Sequence, residues 1–328
     1  MKGIVFSGMQ PSGTPHIGNK LGALDNWVKM QDEYDCIYGI VDWHALTTGY
    51  EDPKEVGRQS LELAMIWLAC GLDPQKSTLM LQSAVPEHAE LHLLFSMFLS
   101  LPRLERIPTY KEKLREIEGR NLTTYGFLGY PVLQAADILI YKSTHVPVGK
   151  DQDYHLELTR EVAEQFNRLY GQLFPITQTV HTVFPVLPGT DGRKMSKSYG
   201  NTSSLTDSED MIKDKVRNMV TDPQRIKRTD PGRPEVCPVY AYYQAFAPQE
   251  AERTAHECRN ALRGCVECKL GLVEPVQAVV RPVREGVETW QQQPDEVARI
   301  LHTGSQQARG RAQQTVTEVR EHLGLWQP

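Results

Sequence analysis

Residues 2–6 form a short, largely apolar run that leads straight into Ser7-Gly8-Met9-Gln10-Pro11, the pattern of a strand ending in a turn. After Gly18 the apolar positions Leu21, Leu24, Trp27, Val28 and Met30 recur at three- and four-residue spacing, which predicts a helix. Residues 36–42 are apolar almost throughout, as a buried parallel strand should be. A helix is expected after Pro53, with Leu61, Leu63, Ala64, Ile66, Trp67 and Leu68 on its apolar side, and a third strand over 78–82. Then follow a helix over 87–99, a helix over 131–141 with Pro131 at its start, a strand over 146–148 and a helix over 153–170. Strands alternating with helices at this spacing predict an α/β fold with a doubly wound, Rossmann-like parallel sheet. Ligands of such sheets sit outside the C-terminal strand ends, near a helix N-terminus.

Beyond Asn201 the pattern changes. Thr206-Asp207-Ser208-Glu209 reads as a capping box that opens a helix running to about Met219. Strand signals fade, and residues 239–246, 249–263, 282–290 and 305–323 read as helices. This divides the chain into a catalytic region (1–189), a loop (190–203) and a mostly helical domain (204–328). Neither an internal repeat nor a low-complexity tract is present.

The composition is that of an ordinary globular protein, 40% hydrophobic and 23% charged over 328 residues. No apolar run approaches a membrane span and nothing resembles a signal peptide, so a cytoplasmic protein is expected. The net charge of −5 gives nucleic-acid binding no support from the whole molecule, so any RNA contact needs a local patch. Residues 213–233, with seven basic side chains against three acidic ones, are one candidate. In such a protein the six cysteines are thiols or metal ligands. Cys36 and Cys70 stand alone in apolar contexts and read as small core residues. Cys237, Cys258, Cys265 and Cys268 cluster with the spacing C-x20-C-x6-C-x2-C. Zinc sites favour two short pairs, and only the last pair is short here. Ligation of a [4Fe–4S] cluster by four cysteines fits better, with loose thiols as the alternative.

Two stretches carry chemistry. In Gly192-Arg193-Lys194-Met195-Ser196-Lys197-Ser198-Tyr199-Gly200-Asn201, glycines flank two mobile lysines suited to phosphates whose charge moves during a reaction. In Pro11-Ser12-Gly13-Thr14-Pro15-His16-Ile17-Gly18-Asn19, the glycines admit close backbone approach, a helix N-terminus faces the turn and His16 adds a side-chain donor. Together they predict a clamp on a triphosphate from two sides.

The letters KMSKS and the His-Ile-Gly-Asn turn resemble the two signatures of class I aminoacyl-tRNA synthetases. Phe6 to Gly13, Val41 to Ala45, Tyr130 to Leu139 and Val146 to Gln152 extend the resemblance to the bacterial tryptophanyl branch. The resemblance implies a homodimer that makes tryptophanyl-adenylate from L-tryptophan and ATP with Mg²⁺, then esterifies tRNA(Trp). It implies catalytic roles for His16, Lys194 and Lys197, and ATP contacts from Gln10, Pro11, Ser12, Gly18, Asn19, Gly149, Lys150, Asp151 and Val186. The ATP contacts extend to the loop residues Lys194, Met195, Ser196, Lys197 and Ser198, of which Lys194, Ser196 and Lys197 hold the leaving pyrophosphate. Asp137 matches the acceptor of the indole N–H, with Phe6, His44, Tyr130 and Gln152 completing the tryptophan pocket. A subset of the branch carries an iron–sulfur cluster at similar cysteine spacing. The signature ends in Asn19 where many class I enzymes have a second histidine, a change that tryptophan enzymes commonly tolerate, and the chain departs from relatives at Gln134, where they carry methionine, and at Lys150, where glutamate is common. Tyrosyl-tRNA synthetases share the fold, but Asp137 within Ala-Ala-Asp-Ile-Leu and Val41-Asp42-Trp43-His44 favour tryptophan. A non-catalytic paralogue that senses redox state is a further alternative, against which the intact His16, Lys194 and Lys197 argue.

Overall fold

Five parallel strands form one sheet in the order β3-β2-β1-β4-β5: β1 (Ile4–Met9), β2 (Asp35–Ile40), β3 (Ser77–Leu81), β4 (His145–Val148) and β5 (Gln178–His181). The computed structural model describes residues 2–116, 122–149, 152–181, 187–196 and 199–326. Strand order reverses between β1 and β4, and the crevice beyond their C-terminal ends is the place for a ligand in a sheet of this kind. The α/β, doubly wound fold expected from the sequence is present, with a helical C-terminal region. Among the described residues no helix is long and apolar enough to cross a membrane.

Several elements differ from their sequence reading. β5 lies at the sheet edge and is only partly buried, so Gln178-Thr179-Val180-His181 shows no apolar run. Arg160 secures the approach to it through the Thr177 carbonyl (2.9 Å) and the Thr179 hydroxyl (2.5 Å). Pro131 lies inside the helix Tyr125–Leu139, not at its start; Thr124 is the cap and accepts from the Phe127 N–H at 3.2 Å. Prolines also lie inside Cys265–Gln291, a single 27-residue helix that interior Pro275 and Pro282 disguise. The helix Glu209–Asn218 is capped by Ser208 rather than Thr206: the Ser208 hydroxyl accepts from the Met211 N–H at 3.2 Å, while the Thr206 hydroxyl is paired with Ser204 Oγ at 3.1 Å.

The last helix, Pro294–His322, lies along the outer edge of β3. Ser305 Oγ accepts from the Leu81 N–H at 3.0 Å, so the exposed edge of the sheet is covered and partly paired. Arg309–Glu87, Arg311–Asp35, Arg320–Glu90 and Lys142–Glu318 fasten the same helix to the first half of the chain. One apolar cluster joins Trp27, Trp67 and Leu79 to Val280, Val283 and Leu301, and a second joins Phe95, Val162 and Phe166 to Ala308, Ala312 and Val316. Both clusters therefore draw on residues from each half.

Gly304 makes this contact possible: a Cβ there would lie 2.0 Å from the Leu79 carbonyl oxygen. Gly304→Ala should push the helix off the strand and lower the unfolding free energy by roughly 1–3 kcal/mol. Gly310→Ala, on the same helix with nothing within 4 Å, should be neutral or stabilising. Urea denaturation of both variants checks this, and equal effects would show that the helix does not need the close approach.

Candidate active site at the C-terminal end of the sheet

β1 delivers the chain into a turn in which the Ser12 N–H donates to the Gln10 carbonyl at 2.9 Å and Gly13 takes φ +83°. His16 then caps the helix that begins at Ile17: its Nδ1 accepts from the Asn19 N–H at 3.2 Å, while Asn19 Oδ1 accepts from the His16 N–H at 3.0 Å. Asn19, where many class I enzymes have a second histidine, is thus half of a reciprocal cap. With Nδ1 serving as acceptor, the ring proton of neutral His16 belongs on Nε2. The helix continues through a π turn, Lys20–Leu24, into Asp25–Met30.

The second motif is fastened to the first. The Ile17 N–H donates to the Ser203 carbonyl at 2.9 Å and the Leu205 N–H to the Pro15 carbonyl at 3.0 Å, with His16 and Ser204 paired antiparallel. Met195 is buried, and its Sδ would lie 3.4 Å from a Cβ at Gly18. The lysine-rich loop therefore packs on the His16 turn, as the clamp reading requires.

Asn201 organises the loop itself. Its Nδ2 donates to Asp191 Oδ1 (2.8 Å) and to the Lys194 carbonyl (3.1 Å), and its Oδ1 accepts from the Ser196 N–H (2.8 Å). Hydrogen bonding from Asn201, then from Arg193, holds the Asp191 carboxyl down at about 2. Gly189 has no room for a side chain, since a Cβ would meet Asn201 Nδ2 at 2.4 Å. Lys194 is exposed, with its backbone bridged to Pro188. Gly149 accepts from the Gln152 N–H at 3.0 Å just before the helix Asp153–Tyr170. Lys150, Asp151, Val186, Lys197 and Ser198 lie outside the described residues.

A buried polar cluster occupies the C-terminal ends of β2 and β3 and the helices around them. Asp137, only 1% exposed, receives three side chains: His44 Nε2 on Oδ2 (2.9 Å), His88 Nδ1 on Oδ1 (2.6 Å) and Gln82 Nε2 on both oxygens (2.8 and 2.9 Å). Burial pushes its pKa up, but the electrostatic attraction of the His88 ring edge and the hydrogen bonds from His44 and His88 outweigh burial and hold it at about 2. The sequence expectation that an acid on this apolar helix needs buried partners is met, with His44 among them. Phe6 packs beside the cluster, stacked on Tyr141 with ring centroids 5.5 Å apart. Tyr130 lies seven residues before Asp137 on the same helix, its hydroxyl paired with Thr109 Oγ1 at 2.9 Å and His155 Nε2 at 3.3 Å. Gln134 is half-buried one turn before Asp137. Sequence reasoning missed Gln82, His88 and Tyr141. Only the position of Gln82 at the end of a strand pointed toward the site.

The profile of the class I tRNA synthetases (W and Y) matches residues 2–281. The chain belongs to that family. The synthetase is 49% identical over 324 residues to the tryptophan–tRNA ligase of Thermotoga maritima, covering 98% of this chain and 99% of that protein. It is 41% identical to the tryptophan–tRNA ligase of Aquifex aeolicus, over 98% of this chain and 99% of the relative. Among solved structures, the tryptophanyl-tRNA synthetase of Campylobacter jejuni, complexed with ADP and tryptophan, superposes with a TM-score of 0.87 at 34% identity, covering 98% of this chain and all of that one. A tyrosyl-tRNA synthetase from Archaeoglobus fulgidus, 18% identical, shares the fold alone. The synthetase is accordingly an ATP-dependent aminoacyl-tRNA ligase.

In the helical region of the synthetase, Cys237, Cys258, Cys265 and Cys268 line one cavity of about 30 Å³ together with Arg225 and Arg263. Arg225 Nη1 donates to Cys258 Sγ at 3.7 Å, and its Nη2 to the Arg263 carbonyl at 2.8 Å. Burial pushes the Cys268 thiol up to about 12 and raises that of Cys258. Among the described residues no three His, Cys, Asp or Glu side chains are arranged to hold a single metal ion. Cys36 is buried in the core and Cys70 is partly buried.

The Asp137 cluster makes the stability of the synthetase pH-dependent in a defined sense. Its carboxyl titrates at about 2 in the folded chain against an ordinary 3.8. The stabilisation is therefore complete above the unfolded value and lost as pH falls through the folded one. The difference corresponds to about 2 kcal/mol. Urea unfolding of wild type and Asp137→Asn should show the stability difference shrinking by that amount between about pH 5 and pH 2. A constant difference would mean that the histidines and Gln82 do not favour the ionised form.

Proposed function

We infer that the synthetase activates L-tryptophan with ATP, releasing pyrophosphate, and then transfers tryptophan from the adenylate to tRNA(Trp). The observation that carries this reading is Asp137, a buried, ionised acceptor at the C-terminal side of the sheet, in a chain that matches tryptophan–tRNA ligases end to end. A carboxylate offers only acceptors and an indole N–H only a donor, so the two are complementary. His44 and Phe6 adjoin that acceptor, and Tyr130 and Gln152 complete our assignment of the pocket.

In the first step a tryptophan carboxylate oxygen attacks the α-phosphorus, a new O–P bond forms, and the bond to the β-phosphate oxygen breaks. The attacking carboxylate is already ionised, so no general base is needed, and the protein acts by positioning and by stabilising charge on the phosphates. We assign that work to the two joined motifs. His16 offers Nε2–H, and Gln10, Pro11, Ser12, Gly18, Asn19, Gly149, Lys150, Asp151 and Val186 cradle the nucleotide. Met195 and Ser198 flank it, while Lys194, Ser196 and Lys197 take the pyrophosphate. Mg²⁺ carried in with the nucleotide would screen its phosphates. In the second step a ribose hydroxyl at the tRNA end attacks the activated carbonyl and AMP leaves.

We assign residues 1–189 to catalysis, 190–203 to the mobile clamp and 204–328 to the anticodon side of tRNA(Trp). Exposed Leu93, Met97, Leu101 and Tyr125 on neighbouring helices support a homodimer, and thiol chemistry supports a cytoplasmic setting. Four cysteines around one cavity, with two arginines to offset their charge, support a [4Fe–4S] cluster; a cluster spreads its ligands wider than a single ion does.

Amino-acid-dependent ATP–pyrophosphate exchange across the twenty amino acids tests the reaction, and tryptophan alone should drive it. Lys194→Ala should lower the exchange rate by ~10-fold or more while leaving tryptophan affinity unchanged, because the lysine acts on charge that develops in the transition state. Parallel loss of rate and tryptophan binding would make the loop structural. Purified without oxygen, the protein should be brown and carry about four irons per chain. Cys258→Ser should lose the iron and impair tRNA charging more than adenylate formation. Colourless protein with one zinc would sink the cluster.

A further inference from the structure

We propose that Gln82, His88 and Tyr141 are positioning residues that set the synthetase's selectivity for the indole N–H by holding the Asp137 carboxyl group in one orientation. The proposal rests on the tryptophan reading above. None of the three belongs to either signature motif, yet they form one connected chain behind the carboxylate. The Trp43 N–H donates to Gln82 Oε1 at 3.1 Å, which fixes the amide so that its NH₂ faces both Asp137 oxygens. His88 Nδ1 lies 2.6 Å from Asp137 Oδ1 and must carry the proton, since the carboxylate has none. His88 Nε2 is then an acceptor, and the Tyr141 hydroxyl, 2.7 Å away, donates to it. Burial raises the Tyr141 phenol well above its ordinary value, so it remains a donor, and its ring is held against Phe6. The relay therefore runs in one direction, from Tyr141 O–H to His88 to Asp137.

The consequence is geometric. Three side chains reach the two carboxylate oxygens through four contacts, which fix the plane of the group and the directions from which a further N–H can share an oxygen. A carboxylate free to turn would accept from many substrates; a fixed one rewards a donor at a single place. Without the Tyr141 hydroxyl, His88 is free to place its proton on Nε2, and Asp137 loses a donor that a purely apolar wall could not replace.

Pyrophosphate exchange with tryptophan, 1-methyltryptophan and phenylalanine tests this in five variants. Tyr141→Phe keeps the ring and should raise KM for tryptophan about 5-fold. His88→Leu should raise it at least ~10-fold, and His88→Asn, whose amide nitrogen can stand where Nδ1 stood, should recover most of that loss. Both kcat and KM for ATP should stay at wild-type values, and the preference for tryptophan over 1-methyltryptophan should narrow in step with KM. In the double variant Asp137→Ala/Tyr141→Phe, the tyrosine change should add nothing to Asp137→Ala alone. Additive losses, or a fall in kcat matching the rise in KM, would make His88 and Tyr141 merely structural and overturn the proposal. If Asp137→Ala narrows the preference but Tyr141→Phe and His88→Leu leave it intact, the proposal alone fails. If Asp137→Ala keeps the full wild-type preference, the indole-acceptor reading falls first.

Discussion

Two backbone hydrogen bonds, from Ile17 to Ser203 and from Leu205 to Pro15, hold the active site together. They join segments almost two hundred residues apart, and each motif is incomplete without the other. The His16 turn presents a capped helix end but few charges, while the loop presents lysines that need a rigid base. Asn201 supplies that base locally, by holding Asp191, the Lys194 carbonyl and the Ser196 N–H in one network. The loop is rooted at both ends, near Gly189 and near Ser203.

The amino-acid side of the site is governed by a different force. Burying a carboxylate is costly unless it is fully partnered. Asp137 is buried almost completely, and the clustered histidines and Gln82 reverse the effect of burial on its protonation. The result is a strong acceptor inside an otherwise apolar helix face. One end of the crevice thus carries the His16 turn and the exposed Lys194, and the other a fixed negative charge.

Much of this was legible in the sequence. Parallel strands buried on both faces announce themselves as apolar runs, which is why β1 to β4 were found and polar, edge-lying β5 was not. Glycines and lysines around a phosphate site are visible because few other residues serve there, and an aspartate among Ala135, Ala136 and Ile138 stands out for the same reason. Its partners did not stand out. Gln82 and His88 lie 55 and 49 residues away, and nothing local distinguishes them from other polar residues at element ends. Interior prolines misplaced helix boundaries at Pro131 and Pro282, because tertiary packing overrode the local cost of a missing N–H. The long reach of Pro294–His322 across β3 depends on Gly304, a small residue whose meaning appears only when the strand it touches is known.

That last helix has a consequence for how the protein is made. It touches β3 through Ser305 beside Gln82, and the helix bearing His88 through Arg309 and Arg320, at separations of 222 to 230 residues. A ribosome emits the chain from its N-terminus, so β1 to β3 emerge long before their outer edge can be covered. Until the final thirty or so residues are released, β3 is a bare edge strand next to an unfinished pocket, open to pairing with other chains. Contacts of this length also close slowly, because the loop entropy must be overcome before they form. The Asp137 cluster is therefore among the last parts of the molecule to mature, although His44, Gln82, His88 and Asp137 are all encoded in the first half.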